Sequence, residues 1–384
     1  MTEPHTTPPN VREFVTRLPA MLDDLEALVS CESPSADRGA IARSAGAVAA
    51  LGERLTGVPP ERIVIGGWTH LRWRLGERPG VLLLGHHDTV WPIGSLATYP
   101  WSTEGGIVRG PGCFDMKAGI VQLFHAVAAL GDPGGITILI TGDEEVHSPT
   151  SRALIEDEAR GCGAAFVLEA AAEGGALKTS RKGAETYQVH VHGRAAHAGL
   201  EPERGANAAV ELARQVLAIN ELGDARLGTT VTPTLLSAGT TANTVPDSAV
   251  VSIDVRAKLI AEQTRVNQAL HALVPQLAGT SLQVIAKAHR PPLEAACSAD
   301  LFQRAQALAD QLGLGRLDGV AVGGASDGNL TAAVGTPTLD GLGAVGGGAH
   351  SADEHVVIAE LPRRTALLAH LIDDVRTRLQ KEEA

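Results

Sequence analysis

Apolar positions in the opening stretch recur three and four residues apart. VREFVTRLPAMLDDLEALVSC and ADRGAIARSAGAVAALGERL therefore predict two amphipathic helices. The period then changes. RIVIGG, HLRWRL, VLLLG, ITILITG and AAFVLE read as strands, with helices GIVQLFHAVAAL and SRALIEDEAR between them. This alternation predicts an α/β domain with mostly parallel central strands. The rhythm breaks at YQVHVHG. From there the order is strand, helix GANAAVELARQVLAI, strands TVTPTLLSAG and SAVVSIDVRA, helix EQTRVNQALHALVPQL, strand SLQVIAKA. That is the β-α-β-β-α-β order of a ferredoxin-like unit. The expected organisation is a main α/β domain over residues 1–181, an inserted smaller domain over 182–289, and a return to the main domain over 290–384.

Composition narrows the function classes. A formal net charge of −12 without a Lys/Arg stripe argues against a nucleic-acid partner. Aromatics are only 3 % of the chain, so packing must lean on Ala, Val and Leu. The cysteines Cys31, Cys113, Cys162 and Cys297 are dispersed without CxxC spacing, which predicts neither a disulfide framework nor a zinc knuckle and fits a cytoplasmic protein. The N-terminus MTEPHTTPPNVREF has no leader pattern, and no apolar run approaches membrane-spanning length.

In open α/β sheets functional groups collect at the carboxyl ends of strands. Here VLLLG runs into His86, His87 and Asp88, ITILITG into Asp143, Glu144 and Glu145, and AAFVLE ends in Glu169. Two loops add Asp115, in GPGCFDMKAG, and His350, in GGGAHSADEH. Adjacent carboxylates such as Glu144 and Glu145 repel unless a cation lies near. Oxygen ligands with imidazoles suit zinc, manganese or cobalt at a catalytic site. Two histidines and three carboxylates exceed what one open tetrahedral ion needs. Two ions sharing a carboxylate would use them all.

HHDTV, GPGCFDMKAG and TGDEEVHSPTS, followed in order by VLEA, GRAAHAG, TANTVPDSAVVSIDVR, GGASDGN and GAHSADEHV, resemble the ordered motifs of the M20 family of metallopeptidases. Within it the resemblance is to the glutamate carboxypeptidase (carboxypeptidase G2-like) branch, and it covers essentially the whole chain. It implies a zinc-peptidase-type α/β catalytic domain with an inserted ferredoxin-like lid that forms a homodimer. Two zinc ions per subunit are implied, with Asp115 bridging, His86 and Glu169 on one, Glu145 and His350 on the other. Glu144 is then the general base for a water between the ions, and Asp88 the partner that orients His86. In an extended segment residues 86 and 88 share a side, so His87 is expected to turn away as a packing or surface residue, replaceable without loss of zinc.

For substrate, the resemblance assigns His197, reaching the partner subunit's active site, with Asn243 and Arg290 meeting a carboxylate. Arg suits that task through its planar fork. Gly324, in GGASDGN, belongs to a stretch whose main-chain N–H groups either meet an anion or form a simple turn. The chain departs from the branch at His147, where most members carry glycine. The implied activity is hydrolysis of a peptide or N-acyl amide bond that releases a C-terminal amino acid, glutamate being the first candidate. N-acyl-amino-acid deacylase and dipeptidase activities belong to the same chemistry. A non-catalytic dimer that only binds metal or ligand is disfavoured by the intact ligand set with Glu144. A (β/α)₈ amidohydrolase barrel is disfavoured by the β-α-β-β-α-β insertion.

Overall fold

The computed structural model describes residues 8–76 and 80–382. Residues 1–7 of the polar N-terminal segment lie outside the described residues. Among the described residues no helix is long and apolar enough to cross a membrane.

The apolar run after residue 80 forms the strand Val81–His86, buried at every position. It is inner to a six-stranded sheet, flanked by Ile136–Thr141 and Ala164–Val167, both parallel to it. Thr338–Leu339 extends the parallel part beyond Ala164–Val167, while Trp68–Leu75 and Glu61–Ile65 add an antiparallel edge on the other side. Both faces are covered. Val81 and Leu83 point into a large core shared with the helices Val11–Ser30, Arg38–Thr56, Ala118–Val127 and Glu360–Glu382. Leu82 and Leu84 point into a second core with Ile155 and Ala159 of Arg152–Arg160 and with Leu330 of Gly328–Ala333. Burial on both faces is why this strand reads as a continuous apolar run rather than an alternation. Each such leucine contributes about 2 kcal/mol, so an apolar body anchors a polar strand end.

Local signals start the first helix. Asn10 accepts from the N–H of Arg12 and Glu13, and the Glu13 side chain returns to the Asn10 N–H, a capping box. A second sheet, of short strands Ser102–Glu104, Ile107–Arg109, Gly346–Gly347 and His355–Val357, has no counterpart in the sequence pattern. Strands this short leave no period to read, yet the pairing of His355 with Arg109 brings distant loops together.

The chain divides into two compact units. The first runs to Ser180 and resumes over Ala295–Ala321 and from Ser326; the second is Arg181–Glu294 with Val322–Ala325. The second unit is a four-stranded antiparallel sheet in the order Thr230–Ala238, Ser248–Ala257, Gly183–His192, Ser281–Arg290. The helices Ala208–Asn220 and Ile260–His271 complete the ferredoxin-like arrangement. Alternate residues Tyr187, Val189 and Val191 on one strand and Val251, Ile253 and Val255 on the next form its core with Leu212, Ile219, Val266 and Leu270.

Candidate metal centre

His86 ends its strand in register with Thr141, so the segments that follow both strands emerge at one sheet edge. The His86 ring is 2 % exposed. Its Nδ1 lies 3.0 Å from the Asp88 carbonyl oxygen and 3.4 Å from Asp88 Oδ1. An Nδ1–H donated there leaves the Nε2 lone pair free to coordinate. Nε2 faces Asp115 Oδ1 at 3.4 Å and Glu169 Oε1 at 3.5 Å.

Asp88 does more than the sequence suggested. Its buried carboxylate accepts from Ser35 Oγ at 2.6 Å, and from the N–H groups of Glu144 at 3.2 Å and Glu145 at 3.1 Å. It therefore fixes the short turn Glu144–Val146 as well as His86. Asp143 braces the same turn from behind, accepting from the N–H and hydroxyl of both Thr150 and Ser151. Directly after the Glu144–Val146 turn, His147 and Ser148 have φ of +72° and +55°. Glycine adopts that left-handed region freely, whereas for another residue it costs about 1 kcal/mol, which gives the glycine expected at position 147 a backbone reason.

Glu169 follows the strand Ala164–Val167 and is 8 % exposed. Two glycines crowd its approach. A Cβ on Gly119 would stand 2.1 Å from the Leu168 carbonyl oxygen, and one on Gly343 would stand 2.2 Å from it. His350 comes from a loop at φ +62°, with a half-exposed ring. Its Nε2 lies 3.2 Å from Asp115 Oδ2 and 3.3 Å from Glu145 Oε2. The two oxygens of Asp115 thus face different histidines. Ligand atoms of His86, Asp115 and Glu145 lie within 4.8 Å of one another, as do those of His86, Glu144 and Glu169.

Electrostatics mark this as a place for positive charge. The carboxylates of Asp115 and Glu145 push the His350 pKa up to about 10. Burial opposes protonation of His86, but Asp115, Asp88 and Glu169 outweigh it and raise its pKa well above the ordinary value. Asp115 is held far below the usual carboxylate range by both histidines, against the effect of its burial. Among the described residues, His86 Nε2, Asp115 Oδ1 and Glu145 Oε1 are buried without a hydrogen-bond partner. Such orphaned atoms are costly unless something else satisfies them. Mixed N and O donors at these spacings fit borderline divalent ions such as zinc.

His87 turns away from the cluster, as alternation predicts. It is a packing residue, fully buried, with Nδ1 3.2 Å from Ser44 Oγ and Nε2 3.0 Å from the Thr69 carbonyl. Burial pushes its pKa down to about 4.

In the second unit His197 and Asn243 are exposed and close along the main chain. His197 pairs with Thr244, and the Ala198 N–H donates to the Asn243 carbonyl at 2.9 Å. Arg290, 7 % exposed, ends the strand Ser281–Arg290. Gly324 is exposed, and its carbonyl accepts from Arg181 at 3.1 Å. From Ser326 onward GGASDGN is a buried network in the first unit. Ser326 Oγ donates to Asp340, Ser148 Oγ donates to Asp327, and the Ser326 N–H donates to Asn329 Oδ1. Those groups are satisfied internally.

Sequence reasoning missed Glu354. Its Oε1 accepts from the N–H of Phe114 at 2.9 Å and Asp115 at 3.0 Å; its Oε2 accepts from the Gly112 N–H at 2.9 Å and Trp91 Nε1 at 2.7 Å. The only available signal is its place in the acidic loop four residues after His350.

Residues 82–374 match the family model "Peptidase family M20/M25/M40". The chain is 32 % identical to carboxypeptidase G2 of Pseudomonas sp. (strain RS-16), over 93 % of this chain and 89 % of that protein. It is 28 % identical to succinyl-diaminopimelate desuccinylase of Methylorubrum extorquens (strain PA1), over 91 % of this chain and 97 % of that protein. In fold it is similar to aminopeptidase PepT of Bacillus cereus, with a TM-score of 0.75 at 20 % identity over 93 % of this chain and 98 % of that one. It is likewise similar to the M20 metallo-carboxypeptidase Sso-CP2 of Sulfolobus solfataricus, with a TM-score of 0.69 at 16 % identity over 93 % and 99 %. These findings define a metallopeptidase-type hydrolase, an α/β fold with a second, ferredoxin-like unit. The chain belongs to the M20/M25/M40 peptidase family.

Proposed function

We propose that this chain is a two-metal amidohydrolase that cleaves a peptide or N-acyl amide bond and releases a C-terminal amino acid, glutamate being the first candidate. The observation that carries the reading is Asp115, whose Oδ1 faces His86 and whose Oδ2 faces His350. Asp115, His86 and Glu169 would hold one ion, and Asp115, Glu145 and His350 the other. Zinc is the first candidate, and manganese or cobalt suits the same donors. Bound there, the ions would polarise the scissile carbonyl and lower the pKa of water.

Glu144 takes a proton from the attacking water and delivers it to the leaving nitrogen. Its position supports this role, because Asp88 holds its N–H and its carboxylate lies beside His86 and Glu169. Asp88 keeps the His86 tautomer and the Glu144–Glu145 turn in place. His197, Asn243, Arg290 and Gly324 hold the substrate in this reading, His197 from the partner subunit of a homodimer. An apolar edge supports the dimer. The edge strand Thr230–Ala238 exposes Leu235 (71 %) and Leu236 (56 %), and the helix Ala208–Asn220 exposes Leu217 (71 %). In this reading the enzyme works in the cytoplasm, with Cys31, Cys113, Cys162 and Cys297 as free thiols.

The similarity to the desuccinylase favours a second reading, removal of an N-acyl group from an amino acid. One assay separates the two. Zinc-loaded protein is incubated with N-acyl and N-aminoacyl amino acids that vary in either half, and free amino acid is measured. The carboxypeptidase reading expects selection for an acidic C-terminal residue. Selection by the acyl half alone supports the deacylase, and no release from any member of the panel overturns both.

A further inference from the structure

The two prospective ion positions are built differently. His86 ends one strand of the six-stranded sheet and Glu169 follows the adjacent parallel strand. Asp115 and His350 come from irregular segments that the sheet does not hold. Glu354 joins those segments. It is 3 % exposed and follows His350 in the same loop, and three of its four N–H donors belong to residues 112–115. The fourth, Trp91 Nε1, closes the second oxygen. Other contacts tie the same segments at their ends: Arg109 donates to the Asp353 carbonyl at 3.2 Å, and His355 pairs with Arg109. Glu354 instead grips the main chain of the Asp115 turn itself.

We propose that Glu354 is a positioning residue that sets the spacing between Asp115 and His350, and so determines affinity for the ion held by Asp115, Glu145 and His350. The inference rests on the two-ion reading. If Glu354 loses its grip, two of that ion's three protein ligands shift, against one of three for the ion beside His86. The first ion should therefore be lost while the second stays. Partners that orient metal ligands typically govern about 10- to 100-fold in affinity.

Glu354→Gln is the direct test. The amide keeps the shape but turns an NH₂ group toward two N–H donors, which lose their acceptor. Zinc content after dialysis is measured by elemental analysis, and each affinity by competition with a chelating dye, on wild type and variant alike. The expected result is two zinc ions in wild type and one in Glu354→Gln, the lost site weakened about 10- to 100-fold. A wild type that binds fewer than two ions removes the two-ion reading itself. A wild type with two ions beside a variant that keeps both at unchanged affinity overturns the role of Glu354. So does equal weakening of both sites, which marks general structural damage. Should Glu354→Gln fail to fold, Trp91→Phe removes a single donor: several-fold weakening of one site supports the proposal, and two unchanged sites overturn it.

Discussion

In the first unit the groups that face one another across the cluster are largely held inside the protein, apart from the half-exposed ring of His350. His86 and Asp88 are buried, and the main-chain N–H groups of the Glu144–Glu145 turn are hydrogen-bonded to a buried carboxylate. In the second unit His197 and Asn243 stand on exposed loops, fixed mainly by main-chain pairing between residues 196–198 and 243–245. The first arrangement concentrates negative charge where water is scarce, at a cost in stability that a cation would offset. The second costs little to fold and presents polar side chains outward. In the proposed reading, the groups that would hold a charged ion are built in advance, whereas those that would meet the substrate are left at the surface.

Three substitutions probe that contrast. The largest effect is expected from Glu144→Gln, which keeps the shape of the buried cluster but cannot accept a proton. Turnover should fall on the order of 10³-fold while zinc content stays at the wild-type value. Undiminished turnover with full zinc would remove Glu144 from proton transfer. His197→Ala comes next, with a loss of kcat/KM on the order of 10²-fold and unchanged zinc. Mixing inactive Glu144→Gln and His197→Ala subunits should restore activity, because one mixed site would combine an intact base with an intact His197. Failure to restore activity in verified mixed dimers would place both residues in the same subunit's site.

The smallest effect belongs to His87→Gln and is on stability, not on zinc. Between its ordinary pKa of 6.5 and its folded value of about 4, the unfolded chain takes a proton that the folded chain refuses. Stability present above pH 6.5 is therefore lost as pH falls toward 4, by on the order of 3 kcal/mol at the acid limit. The check is a comparison of denaturant midpoints for wild type and His87→Gln, both stripped of zinc by chelator, from mildly alkaline conditions down to that acid limit. The variant should start lower, through lost packing, and fall less on acidification. Parallel acid limbs would show that His87 does not carry the titration.

Much of the site can be read without coordinates, for a physical reason. Buried parallel strands write themselves as apolar runs, and a charged residue directly after such a run marks a strand end. His86, Glu144, Glu145 and Glu169 are all found in that way. The ferredoxin-like order is equally plain, because its strands alternate buried and solvent-facing positions. What stays hidden depends on pairings between segments far apart in the chain. Glu354 matters through donors more than two hundred residues away, brought to it by strands of two or three residues. The burial of His87 depends on Ser44 and Thr69, neither of which its neighbours in sequence announce. GGASDGN looks like one glycine turn but divides between an exposed Gly324, whose carbonyl accepts from Arg181, and a buried network around Asp327.

Gly119 and Gly343 limit the mutational routes open to this protein. Both press on the carbonyl of Leu168, the residue before Glu169, from positions where even a methyl group would overlap it. Alanine at either position would displace the backbone that aims Glu169, so single-step variation there is closed even to the smallest side chain. At His147 the chain already carries a side chain on a backbone suited to glycine, and that side chain is exposed. Descendants with altered properties would therefore be expected to differ at such exposed turn positions long before they differ at the two glycines.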